Sequence, residues 1–379
     1  MRQGSNSYDV IVVGSRIGGG FTAALLGDQG HRVLVLERAA FPSDTLSTHF
    51  FRAPTLRALK QIGLLEKVQA VAPRLTVDFN VVDGIAFPEP VDGPEDFPYY
   101  LCVRRITLDG LLAERLRQTS GVDLREHSRV EALTSEGSRV VGAKWTGPEG
   151  KEQARARVVV GADGLRSVVA AQVHPAYEHQ EPVRRAMYYA YVRGLPGQEG
   201  PAAEFHYRGD HLVYAFPCDG DLTLLAASVP VSEFDEFRHQ PGARLWQELH
   251  AMTQIGPRLN GAVREGPVRG TGSIPGYLRY PYGPGWALVG DAGMVMDPWS
   301  GQGIDQASTH AVILARQIQA FLAGESDWDS SMREYHRERN AFSEKTYHRT
   351  CRFSQDLRPM TRKALERRGL LREEPDGQP

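Results

Sequence analysis

Short runs built almost wholly from aliphatic residues recur at 10–13, 33–36, 158–160 and 287–289, and each stops at a glycine or an acid. Runs of this length, apolar on every position, predict strands of a parallel sheet covered on both faces. A different rhythm occupies 183–265. Met187-Tyr188-Tyr189-Ala190-Tyr191-Val192, Ala203-Glu204-Phe205-His206-Tyr207, His211-Leu212-Val213-Tyr214-Ala215-Phe216 and Leu222-Thr223-Leu224-Leu225-Ala226-Ala227 mix apolar and polar positions. Gly209-Asp210 and Asp219-Gly220 punctuate them as hairpin turns do, predicting a mostly antiparallel sheet. A third rhythm follows: Ile304, Ala307, Ala311, Leu314, Ile318 and Phe321 mark an amphipathic helix from 303 to about 323, closed by Gly324. Residues 325–379 are charged and predicted helical, with 373–379 expected to be disordered.

The first aliphatic run leads into Gly14-Ser15-Arg16-Ile17-Gly18-Gly19, and the second ends in Glu37 followed by Arg38. Strand, glycine turn, helix, strand and terminal acid form the βαβ layout of a dinucleotide site. Gly14 permits the tight turn and Gly19 lets helix and strand pack closely, while the helix N-terminus directs N–H groups at a pyrophosphate. Glu37 is placed to accept hydrogen bonds from a ribose. Arg16 stands where the fingerprint has its second glycine, and its guanidinium is suited to phosphate oxygens instead.

Two later segments repeat the theme of a buried strand meeting an acid in a glycine turn. One is Val158-Val159-Val160-Gly161-Ala162-Asp163-Gly164, with Ser167 suited to cap a short helix. The other is Leu288-Val289-Gly290-Asp291, followed by Pro298-Trp299-Ser300-Gly301-Gln302-Gly303-Ile304-Asp305. Together with Arg105-Ile106-Thr107-Leu108-Asp109, these segments resemble those of the class A, para-hydroxybenzoate hydroxylase-like, FAD-dependent monooxygenases.

That resemblance implies an α/β fold: a Rossmann-like, three-layer FAD-binding domain with an inserted, mostly antiparallel substrate-binding sheet and C-terminal helices. The expected division is 1–75, 101–182 and 266–324 for FAD, 76–100 and 183–265 for substrate, and 325–379 for the helical segment and tail. It implies FAD contacts from Gly14, Arg16, Ile17, Gly18, Gly19, Glu37, Arg38, Arg105, Asp163, Gly164, Gly290, Asp291, Pro298, Gly301, Gln302, Gly303 and Ile304. It also implies that NADH or NADPH reduces FAD and that O2 then forms a flavin C4a-hydroperoxide, which hydroxylates or epoxidises an aromatic or polyketide-like small molecule. The chain departs from the family pattern at Arg16, at Asp305 in place of Asn, and at Ala170 in place of Arg.

His49, on the loop after Glu37, is the leading catalytic candidate. With a pKa near 6.5 its imidazole is suited to take a proton from a phenol. Pro298 and Trp299 join it from the loop expected to face the flavin. Arg52 is a candidate partner for an anionic substrate, and Tyr189, Tyr191, Tyr214 and Phe216 are candidate pocket walls.

Composition narrows the choice. A formal charge of -2 with no long basic stripe argues against nucleic-acid binding. Cys102, Cys218 and Cys351 are far apart in sequence without C-x-x-C spacing, which suits a reducing compartment and gives no expectation of a metal site. No stretch approaches the roughly 20 apolar residues of a membrane span, and the N-terminus has no apolar signal region, so a soluble, cytoplasmic protein is expected. Three rivals stand beside the monooxygenase. A geranylgeranyl-type reductase, acting on a prenyl or polyene double bond, shares the FAD motifs. A flavin-dependent halogenase shares the fold, but its W-x-W-x-I-P signature is absent. A Rab GDP-dissociation inhibitor would leave Asp163 and Asp291 without a cofactor. Oligomeric state is not legible.

Overall fold

Strand Ser7–Val13 lies within the first sheet, parallel to Gly150–Gly161 on one side and Val33–Leu36 on the other. Trp286–Leu288 extends the parallel run beyond Gly150–Gly161, and Val122–Arg125 extends it beyond Val33–Leu36. This computed structural model describes residues 7–198 and 200–371, so the expectation for 373–379 lies outside the described residues.

The aliphatic runs are buried on both faces, and the pleat separates their side chains into two cores. Val10, Val12, Val33 and Val35 face a helical layer that includes Phe21, Leu108, Leu112, Ala307 and Leu314. Ile11, Val13, Leu34 and Leu36 face an antiparallel meander through Val130, Ala143 and Trp145. Helices Ile17–Asp28, Arg105–Gln118 and Gly303–Leu322 supply the first layer. The result is the expected three-layer α/β arrangement.

The second sheet has seven strands, including Arg185–Arg193, Ala202–Arg208, His211–Cys218 and Leu222–Pro230. Its pairs are antiparallel except that Ala202–Arg208 runs parallel to Val77–Val82. Strand Val263–Thr271 pairs with Arg185–Arg193 in this sheet, so the expected boundary at 266 falls inside a strand. One face, carrying Tyr188, Val213, Ala215 and Leu225, is covered by Leu245 and Leu249 of helix Pro241–His250 and by Phe237. The opposite face carries Met187, Tyr189, Tyr214 and Phe216, which pack with Phe50 and Trp299. Alternation thus aims the expected pocket residues back toward the loops of the first sheet.

A three-stranded sheet joins Tyr177–Glu181, Gly276–Arg279 and Met294–Val295, and helix Trp328–Ser354 packs on it through Tyr347 and Cys351. No helix among the described residues is long and apolar enough to cross a membrane.

Candidate cofactor and substrate site

The turn after Ser7–Val13 is closed at two glycines. Gly14 has φ +93°, and a Cβ there would stand 2.5 Å from the Ala162 carbonyl oxygen. A Cβ on Gly19 would fall within the van der Waals envelope of the Gly14 carbonyl oxygen and 2.9 Å from the Ala162 side chain. Only glycine fits this approach of helix Ile17–Asp28 to the strand ends. Arg16 is the N-cap and offers no side-chain cap, so the first N–H groups of the helix stay available to an anion.

Glu37 is buried, and its carboxylate accepts hydrogen bonds from Ser15 N at 3.0 Å, Ser15 Oγ at 3.1 Å and Ala39 N at 2.9 Å. It therefore fixes the glycine turn, and two oxygens with about four acceptor positions still leave room for a ribose hydroxyl. Arg38 beside it is exposed.

Arg16 is not free to swing. Its guanidinium pairs with Asp109, bonds Ser43 Oγ at 2.9 Å and lies over the Phe41 ring. Arg105 reaches the same carboxylate from the first turn of its helix, with Nη2 to Asp109 at 2.9 Å. Asp109 is fully buried and holds both arginines at the mouth of the turn. It was visible as the last letter of the R-x-x-L-D match, yet nothing local marks it as the shared partner of Arg16, 93 positions away.

Asp163, expected as a cofactor contact, is bound within its own turn. Its oxygens accept from Ser167 Oγ at 2.5 Å, Val168 N at 2.6 Å and Val169 N at 3.3 Å. The carboxylate thus caps helix Val168–Val173, leaving Gly164 at φ +79° as the turn beside it. Asp291 behaves differently. It is the one exposed residue between buried Gly290 and Ala292. Even so, surrounding protein atoms push its carboxyl pKa up by desolvation, with the Arg105 charge opposing. Exposure to solvent together with desolvation is what a group recessed in a cleft experiences.

Downstream, Asp297 caps the turn Pro298–Ser300 by accepting from Trp299 N at 3.1 Å, and burial pushes its carboxyl up to about 6. Gly301 follows in the left-handed region at φ +60°, and Gln302, Gly303 and Ile304 open the 20-residue helix Gly303–Leu322. Asp305, in its first turn, accepts from Arg52 N at 3.0 Å and Thr55 Oγ1 at 2.7 Å. Arg52 also pairs with Asp305 through Nη1 at 3.3 Å, donates to Gly301 O at 3.0 Å and lies over the Phe50 ring. The expectation that Arg52 awaits an anionic substrate is therefore corrected. Its charge is balanced within the fold by the acid that replaces the family's Asn.

His49 lies at φ 61°, fully buried. A non-glycine residue held there costs on the order of 1 to 3 kcal/mol and has to be imposed by its surroundings. Val103 N donates to its carbonyl at 3.1 Å, and strand Phe50–Phe51 begins at the next residue. Its Nε2 shares a hydrogen bond with the Tyr191 hydroxyl, its ring meets Tyr189 edge-on at 5.3 Å, and Nδ1 has no protein partner. Burial, then the charges of Arg105, Arg104 and Arg269, lower its pKa to about 3. This corrects the general base with a pKa near 6.5: the imidazole is neutral and weakly basic at physiological pH.

Tyr189 and Tyr191 flank it, with burial pushing the Tyr189 hydroxyl up to about 12 and that of Tyr191 further. Tyr214 and Phe216 are corrected from pocket wall to packing. Phe216 stacks on Phe50 at 4.7 Å, and the Tyr214 hydroxyl bonds the Trp299 carbonyl. Trp299 is itself tied down, with Nε1 donating to Thr350 O at 3.1 Å. Arg104 was missed by sequence reasoning: Asp219 holds it at 2.8 Å, beside the Tyr191 ring.

His310, also buried and lowered to about 3, shares the titration behaviour of His49. A histidine depressed below its unfolded pKa contributes stability that is complete above about pH 6.5 and is lost as pH falls toward 3. At pH 5.5 each is expected to cost on the order of 1 kcal/mol relative to pH 8, the free energy of protonating the unfolded chain alone. Urea unfolding of wild type and His310→Asn at the two pH values checks this, the variant showing the smaller pH dependence.

A parallel sheet with its glycine turn, an acid at the end of strand Val33–Leu36 and a recessed acid after strand Trp286–Leu288 define a dinucleotide-binding flavoprotein. The chain belongs to the FAD-binding-domain family of class A flavoprotein monooxygenase-like proteins, whose model matches residues 7–207 and 279–350, and it is a flavin-dependent oxidoreductase. It is 28% identical over 311 residues to digeranylgeranylglycerophospholipid reductase 1 of Methanopyrus kandleri, covering 79% of this chain and 77% of that one. It is 29% identical over 345 residues to a 12-dehydrotetracycline 5-monooxygenase/anhydrotetracycline 6-monooxygenase of Streptomyces rimosus, covering 84% of this chain and 63% of the relative. Among solved structures, a myxobacterial chondrochloren halogenase superposes with a TM-score of 0.81 at 26% identity, over 90% of this chain and 81% of the other.

Proposed function

We propose that this flavoenzyme is a monooxygenase that uses NADH or NADPH and O2 to hydroxylate or epoxidise an aromatic or polyketide-like small molecule. The observation that carries the reading is the junction at His49. There the aromatic face of the second sheet, through Tyr189 and Tyr191, meets the loop running from the cofactor turn. The glycine turn and Arg16 would hold the FAD pyrophosphate, Glu37 a ribose, and Asp291 hydroxyls further along. When bound, FAD takes a hydride from the nicotinamide and passes electrons to O2, so that one oxygen atom enters the substrate and the other leaves as water.

The protein's part is positioning and exclusion of water. The first N–H groups of helix Gly303–Leu322 favour negative charge at its N-terminus, and the Asp305–Arg52 pair fixes that terminus against strand Phe50–Phe51. Neutral His49 holds Tyr191 in place and offers Nδ1 to a hydroxyl group without taking a full proton. Substitution to Asn, which tolerates positive φ, is expected to leave stability near wild type. Product formation should fall about tenfold, the worth of one well-placed polar contact. Steady-state turnover with FAD content measured alongside checks this.

Oxygen from 18O2 in the product, with one NAD(P)H consumed per product, is the test of the reading. The reductase alternative is supported by the Methanopyrus relative and would give a saturated prenyl or polyene product with no oxygen uptake. The likeness to chondrochloren halogenase supports a third outcome, in which halide is required and appears in the product.

A further inference from the structure

Outside the cofactor cleft, two clusters bring a histidine together with other metal-ligating groups. In one, His211 has both ring nitrogens taken, Nδ1 by Glu248 at 2.8 Å and Nε2 by Glu233 at 3.0 Å. Arg208 pairs with Glu248 and Arg244 lies 3.9 Å from Glu233, so an ion would meet positive charge and compete for bonds already made. The other cluster is different in each respect. His179 lies on strand Tyr177–Glu181, and Glu344 and His348 stand four residues apart on one face of helix Trp328–Ser354. Their ligand atoms all fall within 4.8 Å of one another, with His179 Nε2 at 3.9 Å from Glu344 Oε1. That separation is too long for a hydrogen bond. The rings of His179 and His348 approach to 4.5 Å, nearly perpendicular. Among the described residues none of the three side chains makes a hydrogen bond, and Glu344 and His348 are exposed.

We propose that His179, Glu344 and His348 bind one divalent transition ion of the zinc class, with water in the fourth position. Two imidazoles and a carboxylate are the borderline donor set that such ions prefer over Mg2+ or Ca2+. Donors around a tetrahedral zinc lie on the order of 3.3 Å apart, a contraction that exposed rotamers can supply. The ion would clip the small sheet to the helix whose Thr350 carbonyl holds the Trp299 indole, beside the loop that opens helix Gly303–Leu322. Glu178, on the same strand, already reaches that helix at Arg339 and His336. The ion would add a second polar attachment, beside the packing of Tyr347 and Cys351 on the sheet.

Calorimetric titration of the FAD-loaded, tag-free full chain with ZnCl2 in a non-coordinating buffer tests the site. One ion per chain is expected, with affinity reduced at least tenfold in His179→Ala and in His348→Ala and reduced in Glu344→Gln. His211→Ala should bind as wild type. Zinc should raise the thermal midpoint of wild type and not of the His179→Ala/His348→Ala double variant. Unchanged flavin content and circular dichroism in each variant separate lost ligands from lost folding, and Glu344→Gln, an isosteric change on an exposed side chain, serves where an alanine variant does not fold. Absence of one-to-one uptake at 100 μM zinc, wild-type affinity in the double variant, or loss on His211→Ala alone would overturn the proposal.

Discussion

Gly19→Ala is expected to yield a protein purified without flavin. The added methyl would meet the Gly14 carbonyl oxygen and the Ala162 side chain, atoms of a turn and a strand end that cannot rotate away. Relief requires helix Ile17–Asp28 to move off the sheet, opening the turn whose N–H groups point at the pyrophosphate. Overpacking at a rigid site costs about 3 kcal/mol. If the strain is relieved mainly by the turn, FAD affinity falls about hundredfold. The ratio of flavin to protein absorbance and a titration of the apoprotein with FAD check the two parts separately. Gly197→Ala, where no atom lies within 4 Å of the added methyl and the backbone is not in the left-handed region, is the control with retained flavin.

Asp109→Asn is expected to destabilise the apoprotein by about 3 kcal/mol, the cost of leaving buried charge without its partner. Two guanidiniums depend on this carboxylate, Arg16 and Arg105, and the Arg105 side chain is only 10% exposed. If both lie beside the FAD pyrophosphate, bound FAD should restore part of the loss, because phosphate oxygens would accept what Asp109 no longer does. Denaturant unfolding with and without FAD reads this directly. A loss of the same size in both states would show that the arginines do not face the cofactor.

The features legible in sequence are those that local geometry imposes. A strand buried on both faces has to be aliphatic throughout, and a helix packed against a turn has to carry glycine. The 10–13 and 33–36 runs, Gly14, Gly19 and Glu37 therefore announced the first sheet. Period-two alternation likewise placed Tyr189 and Tyr191 on one face of the second sheet. It could not say that Tyr214 and Phe216 would be consumed by packing against Phe50 and Trp299, since those neighbours come from distant segments.

Charge pairing was illegible for the same reason. Asp305 looked like a departure from a family pattern, and Arg52 looked free, until the fold set them together across 253 positions. The character of His49 depends first on its burial and then on Arg105, Arg104 and Arg269, two from a helix start and one from a strand of the other sheet. No window of sequence around residue 49 contains that field. Asp163 is the converse case, because Ser167 and the following aliphatic residues already suggested a capped helix, and the acid joins that cap. The two histidines and the glutamate of the proposed zinc-class site come from a strand and a helix far apart in sequence, so no local spacing announces them.

Rapid mixing of the chemically reduced, FAD-loaded protein with O2, with and without phenolic and polyketide ligands, is the decisive measurement. A spectral phase that is neither reduced nor oxidised flavin, prolonged by ligand and followed by oxygenated product, is the result expected of a monooxygenase. Single-phase return to oxidised flavin under every condition, with no oxygen in any product, would contradict that function and leave reduction of a prenyl or polyene double bond as the chemistry to pursue.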